Sequence, residues 1–349
     1  TLVQGVISGN SPDLYLHMAR TEPVNLAMRG VLYNLKNFDD YEKVLEENFQ
    51  KGSDTPYLYK DGAYALPDTQ NFFVMFYRTD IFKKLGISVP KTWDEMIKTT
   101  VPKLAENNMS LAQSPGFEVL LYQYGGELYN EDMTESLVAS QTAYKAFKLH
   151  CDFYTMYGVP ISVNFFNRFR TGESPIGFGN LASYIQFVYA APELTGKWNV
   201  AVLPGVKRED GTINHNIGGL TTSSAMIMAD TDSPEEAWRF LKWYTSANVQ
   251  LQLSDMLEAD LDMSARVISA NTEAFKSLDW DNEHLRVFLD SMKETKAYNP
   301  VLGGYYTTRY IGYAFNNVVI SQAMTERAAL EDAQENINTE LERRRNSGS

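Results

Sequence analysis

Residues 303–310 read Gly-Gly-Tyr-Tyr-Thr-Thr-Arg-Tyr and stand at the start of an amphipathic helical pattern. Tyrosine faces accept apolar C–H surface, and their hydroxyls bond a polar rim. Arg309 carries a planar fork of donors that can hold two hydroxyls, or both oxygens of a carboxylate such as a uronate, side by side. Tyr305, Tyr306 and Arg309 together therefore suit a polyhydroxylated ring, which has an apolar face and a hydroxyl edge. Gly303 and Gly304 let the backbone turn there without a Cβ clash. The same residues also have a packing reading, with the tyrosines half-buried and Arg309 paired to a carboxylate that fixes geometry.

Other chemistry is thinly supplied. His17, His150, His215 and His284 are scattered, and no nucleophile elbow, phosphate-binding loop or His-Glu-x-x-His appears. A glycosidase or lyase stays open on one ground, because 44 acidic residues can supply a pair of carboxylates around a scissile bond. Gly177-Phe178-Gly179 is half of a dinucleotide fingerprint without its third glycine. The acids of 258–263 and 278–284 lack the glycine and terminal glutamate of a calcium loop and read as solvated surface. Cys151, the one cysteine, shares a helical stripe with Tyr144, Phe147 and Tyr154 and reads as a core thiol, so an intrachain disulfide is excluded. Arg343, Arg344 and Arg345 close a helical pattern, where cations suit the negative end of the dipole rather than a phosphate.

The elements that must position these residues alternate short β-rich runs with helical patterns, the signature of α/β layers. At 349 residues the chain is long enough for two cores. Its net charge of -13 repels nucleic acid and anionic lipid, and no apolar run is long enough for a membrane span. Residues 72–77 are continuously apolar, as for a strand covered on both faces. Thr92-Trp93-Asp94-Glu95 and Ser233-Pro234-Glu235-Glu236 have the form of helix capping boxes, and Thr325 caps the last helix. Paired Gly218 and Gly219 mark a bend or a close backbone approach.

Eight stretches in collinear order resemble the family 1 extracellular solute-binding proteins of ABC importers, the maltose-binding-protein-like group. They are LVQGVISGNSPDLYL, DGAYALPDTQNFFVMFYRTDIFKKLGISVPKTWDEM, RFRTGESPIGFGN, WNVAVLPG, NIGGLTTSSAMIM, SPEEAWRFLKWYTS, GGYYTTRYIGYAFNNVV and INTELERRR. Each is weak alone; together they cover nearly the whole chain. The last two look most like large Gram-positive lipoproteins. Relatives carry a strand, a helix and a strand, about 50 residues, ahead of the helix expected here at Thr1. The resemblance thus implies a fragment, or a truncated first lobe with an exposed sheet edge.

The resemblance implies a type II periplasmic-binding-protein-like α/β fold of two discontinuous lobes joined by crossover hinges. Residues 1–70 and 223–300 would form lobe 1, and 71–222 and 301–349 lobe 2, with crossings near 67–71, 217–222 and 300–306. It implies hinge closure on a carbohydrate lying in the cleft, delivery to the membrane permease subunits of an ABC importer, and an extracytoplasmic location with a lost lipid anchor or a periplasmic site. No cofactor, metal or catalytic residue is expected. Carried over position by position, the ligand residues would be His17 and Arg20 on the rim, Asp68, Gln70 and Asn71 on the first crossing, and Phe117, Asn164, Asn180 and Tyr184 in the second lobe. Gly218, Gly219, Tyr305, Tyr306 and Arg309 complete the set. Two other readings stand beside this one: a carbohydrate-active enzyme, and a docking module of a larger surface protein that takes no ligand.

Overall fold

A computed structural model describes residues 11–295 and 304–347, the last without its side chain. The helix expected at Thr1 and the turn glycine Gly303 lie outside them. The chain divides into two compact units: the described part of unit 1 is 11–72 and 219–285, and that of unit 2 is 73–218, 286–295 and 304–347. Residues 286–295 thus group with unit 2, whereas the sequence reading runs lobe 1 unbroken to 300. Their anchor is Phe288, which is buried and meets Tyr184 edge to face at 5.1 Å.

Six strands form the two main sheets: β1 (Leu14–Ala19), β2 (Leu66–Pro67), β3 (Phe73–Arg78), β4 (Ile176–Asn180), β5 (Trp198–Ala201) and β6 (Ser223–Ile227). In unit 1 the order is β1-β6-β2, all antiparallel. Side chains on β6 alternate between faces. Ala225 and Ile227 join Leu35, Phe38, Trp238 and Leu241 on one side, and Met226 joins Leu26, Tyr57 and Ala65 on the other. Trp238, on the helix Pro234–Tyr244, stacks on Phe38 at 4.8 Å, and its indole N–H donates to Asp40 at 2.7 Å. That helix starts where expected, with Pro234 in its first turn, but the Ser233 hydroxyl makes no cap bond.

In unit 2 the order is β4-β3-β5, again antiparallel. Val74, Met75 and Phe76 are fully buried, so the apolar run is a strand with both faces covered. Phe76 packs among Phe165, Phe169, Phe187 and Trp198, while Phe178, paired with Met75 on the neighbouring strand, packs on Trp93. Burying each such ring stabilises by about 1.5–3 kcal/mol. Gly177 is needed for packing: a Cβ there would meet Phe165 at 2.4 Å and the Ala112 methyl at 2.8 Å. That accounts for the glycine without any nucleotide. The Thr92 hydroxyl accepts from the Glu95 N–H at 3.1 Å, but Glu95 reaches the Lys91 N–H rather than closing the box on Thr92. Cys151 is fully buried on the helix Gln141–Thr155, and burial pushes its thiol up to about 12. Asp281 accepts from the N–H groups of Glu283 and His284, which makes it the cap of the helix Asn282–Lys293.

Candidate functional site

Each unit carries a polar cluster among the residues singled out above. In unit 1, β1 slips register against β6 between Tyr15 and Met18, and His17 takes a φ of 55° there. Such an irregularity takes a residue out of the ladder and re-aims its side chain. A non-glycine in this region persists only where its surroundings hold it. Here the holder is Asp68, just past β2, whose side chain has no exposure. His17 gives Asp68 Oδ2 its backbone N–H at 3.2 Å, and its Nδ1 lies 2.7 Å from the same oxygen.

Two more donors reach that carboxylate. The Tyr244 hydroxyl donates to Oδ1 at 3.0 Å and the Ser223 hydroxyl to Oδ2 at 3.2 Å. A carboxylate has about four acceptor sites, so this chain's own donors fill Asp68. The Tyr244 oxygen also lies 3.2 Å from His17 Nε2, which puts an acceptor at each ring nitrogen. The Asp68 hydrogen bond accordingly raises the His17 pKa above its usual 6.5, outweighing partial burial. Burial, with Asp68 beside it, pushes the Tyr244 hydroxyl upward and keeps it protonated. The His17 side chain is 54% exposed and is the face that the assembly offers outward.

The backbone around this cluster is cross-tied. Thr69 Oγ1 lies 2.9 Å from Thr222 Oγ1 and 2.6 Å from Ser223 Oγ. Arg20 donates its backbone N–H to the Thr222 carbonyl at 3.1 Å, and its side chain is half-buried. Gln70 is buried and donates from Nε2 to the Ser269 carbonyl at 2.9 Å, which makes it a tie within unit 1. Asn71 is half-buried, with its N–H on the Leu220 carbonyl at 2.8 Å.

In unit 2 the helix Tyr305–Phe315 opens on two exposed turns of aromatic and cationic residues. The rings of Tyr305 and Tyr306 are 4.1 Å apart, and the Arg309 guanidinium sits 5.4 and 5.5 Å from their centroids. Among the described residues Arg309 makes no hydrogen bond or ion pair, so the carboxylate partner of the packing reading is not found there. Tyr305 is 54% exposed. The Tyr306 hydroxyl accepts from Arg343 at 3.3 Å and Arg344 at 3.2 Å, both near the end of the helix Glu326–Ser347. Hence the terminal arginines do more than complement the helix dipole. The helix is fixed from below by Thr307, buried and 2.5 Å from the Tyr129 hydroxyl.

The remaining candidates serve the framework of unit 2. Phe117 is buried and packs edge to face on Phe147 at 5.6 Å. Tyr184 is buried between Trp198 and Phe288, at 5.6 and 5.1 Å. These rings are core, where the sequence reading has them face ligand; their helices turn the aromatic stripe inward. Asn164 and Asn180 cap helices, accepting from the N–H groups of Asn167 at 2.9 Å and Ser183 at 3.1 Å. Gly218 holds φ 81°, a turn that favours glycine, and its N–H donates to Asn216 Oδ1 at 2.8 Å; Gly219, where the second segment of unit 1 begins, is half-buried. Tyr244 was not among the candidates singled out in the sequence. Its position gives no signal that its hydroxyl ends on Asp68.

Three comparisons with known proteins bear on the family and fold of the chain. The family model of the bacterial extracellular solute-binding proteins matches residues 1–251. A binding protein of Brucella abortus (strain 2308) is 27% identical over 262 residues, covering 69% of this chain and 60% of that protein. The match therefore spans less than two thirds of that relative's length. The sugar-binding protein MalE of Xanthomonas citri superposes with a TM-score of 0.83 at 18% identity, covering 99% of this chain and 87% of that one. An ABC transporter solute-binding protein of Thermotoga lettingae, solved with alpha-D-tagatose, gives 0.73 at 20% identity, covering 97% and 88%. These likenesses show the fold, the two-lobed type II arrangement of periplasmic binding proteins.

Proposed function

The chain belongs to the bacterial extracellular solute-binding protein family, and from that membership we propose that it is the carbohydrate-binding component of an ABC importer, working outside the cytoplasm. The observation that carries the carbohydrate reading is the group Tyr305, Tyr306 and Arg309, in which the exposed Tyr305 ring stands beside a guanidinium that makes no hydrogen bond among the described residues. Saccharides need that pairing, because stacking takes their C–H faces while the fork takes their oxygens. In unit 1 the half-exposed ring of His17, held by Asp68 and Tyr244, is a second exposed and oriented group. The related structures support the reading in kind: one is named a sugar-binding protein and another holds a ketohexose.

The work is recognition, and it needs no bond broken and no cofactor. Ligand would stabilise the conformation that it binds best, and the permease subunits of the importer would read that conformation. The chain would act as a lipid-anchored surface protein or a periplasmic one. Thermal unfolding in the presence of neutral and acidic oligosaccharides, with reducing ends assayed in the same samples, tests this. The expected outcome is a ligand-dependent rise in Tm with no new reducing ends. New reducing ends would make the chain a hydrolase, and a flat Tm across the panel would leave a docking module.

A further inference from the structure

We infer that Asp68, His17 and Tyr244 form a proton-gated latch, closed only while both ring nitrogens of His17 carry a proton, that ties the irregular point of β1 to the end of the helix Pro234–Tyr244. The inference goes beyond the carbohydrate reading and stands without it. Three separate segments supply the three side chains, and their contacts close a triangle. His17 Nδ1 lies 2.7 Å from Asp68 Oδ2, His17 Nε2 lies 3.2 Å from the Tyr244 oxygen, and the Tyr244 hydroxyl returns to Asp68 Oδ1 at 3.0 Å. In the imidazolium form each side of the triangle has one proton and one acceptor. Nδ1–H donates to Asp68, Nε2–H to Tyr244, and the Tyr244 O–H to Asp68, whose carboxylate only accepts.

Loss of one proton breaks that match. Neutral imidazole keeps a single N–H, and the shorter contact, to Asp68, holds it on Nδ1. Nε2 is then an acceptor facing an oxygen whose one proton is directed at Asp68. Either the hydroxyl turns to Nε2 and gives up Asp68 Oδ1, or it stays and two lone pairs face each other; one side of the triangle is lost both ways. Tyr244 is not free to step aside, since it is buried, its ring lies parallel to that of Phe240 at 6.2 Å, and its carbonyl accepts from Gln250 Nε2 at 2.8 Å. His17, at φ 55°, depends on its surroundings for its conformation. Deprotonation therefore releases the half-exposed imidazole from Tyr244 and loosens β1 at that point.

No other group competes for the gate. Asp68 is the charge that raises the His17 pKa above its usual 6.5. Strand β6 carries no titratable residue, and the helix Glu22–Ala27 beside β1 carries one, Glu22, which is exposed. On the helix of Tyr244, Lys242 is taken by Asp40 at 2.5 Å, and Glu235, Glu236 and Arg239 are exposed. Arg20 acts on Tyr57, whose hydroxyl donates to the Ser223 carbonyl at 3.1 Å and is pushed up to about 12 by burial. Burial and Asp68 hold Tyr244 above the usual 10, so its own proton stays on.

A double-mutant cycle in the full chain tests the latch, with His17→Ala, Tyr244→Phe and the two combined, each unfolded in denaturant near pH 5.5 and near pH 9. The expected coupling is at least about tenfold in the unfolding equilibrium constant at the lower pH, the size of a charge-assisted hydrogen bond, and at least about threefold smaller at the higher. The two rings also meet edge to face at 6.2 Å, and a coupling owed to that packing alone would be the same at both. Coupling that does not fall as pH rises would overturn the inference. Nuclear magnetic resonance of the unsubstituted chain, labelled with nitrogen-15 at histidine, gives an answer even if a variant fails to fold. His17 should show two ring N–H protons protected from exchange with water near pH 5.5 and one near pH 9. Fewer than two at the lower pH, or two at the higher, would equally overturn it.

Discussion

Nδ1 of His17 lies 2.7 Å from Oδ2 of Asp68, joining a residue in a left-handed backbone conformation to a carboxylate with no solvent exposure. Asp68 is therefore a positioning group: it sets the conformation of β1 at its irregular point and aims the imidazole. Asp68→Asn keeps the shape but turns one acceptor oxygen into a donor facing Tyr244, Ser223 or His17. It is expected to lower the stability of unit 1 by about 2–4 kcal/mol, since a buried network loses its common acceptor. Denaturant unfolding measures this, and a loss below about 0.5 kcal/mol would remove Asp68 from that role.

The same contact makes stability depend on pH with a definite sign. Because Asp68 raises the His17 pKa in the folded chain above the usual 6.5, the stabilisation is complete below pH 6.5 and is lost as pH climbs through the raised folded value. The Tm of the unsubstituted chain, measured relative to that of His17→Gln, should fall across that interval. A difference that grows with rising pH would contradict the hydrogen-bonded imidazolium.

His150 acts in the opposite direction. Burial lowers its pKa to about 4, and its Nδ1 lies 2.7 Å from Ser114 Oγ in the core of unit 2. The unfolded chain takes up a proton near pH 6.5 that the folded one refuses. Stability is thus complete above pH 6.5 and lost as pH falls toward 4, by roughly 3 kcal/mol over the interval. Proton uptake on acid unfolding, compared between the unsubstituted chain and His150→Gln, should differ by close to one proton near pH 5.

Gly205→Ala should destabilise unit 2 by about 1–3 kcal/mol. A Cβ there would lie 2.4 Å from the Asn214 carbonyl oxygen and 2.6 Å from Ile213 Cγ2, and backbone cannot step aside as a side chain tip can. Thermal unfolding reads the effect; an unchanged Tm would mean that the hairpin 206–214 moves freely.

Tyr305→Ala separates packing from binding. With the ring 54% exposed, its removal should change stability by less than about 0.5 kcal/mol. Saccharide affinity should drop about tenfold, as for an aromatic anchor. Equal affinity in the variant would take Tyr305 out of the site.

Much of the framework was legible in the sequence because its cues are local. The apolar run at 72–77 became β3, the capping signal at Thr92 formed its hydrogen bond, and Phe147 and Cys151 in the helical stripe were buried, with Tyr144 and Tyr154 half-buried at its ends. A strand period, a cap and a helical stripe each depend on residues a few positions apart. The candidate site was legible only in part. Its aromatic and cationic members stood together in the run 303–310, and Tyr305 and Arg309 are exposed there. Phe117 and Tyr184 have the right chemistry for ligand, yet which side of a helix meets the core is settled by partners such as Phe147 and Phe288, far along the chain.

By itself the sequence determined the family pattern, the α/β alternation and the supply of ring faces and donors. Tertiary structure alone decided which groups meet. It set the hydroxyl of Tyr244 on Asp68 across 176 positions of chain, and Arg344 on Tyr306 across 38. The physical reason is that hydrogen bonds and charges act over a few ångströms in space without regard to distance along the chain. A side chain's role as acceptor, donor or anchor is therefore fixed only when the fold brings up its partner.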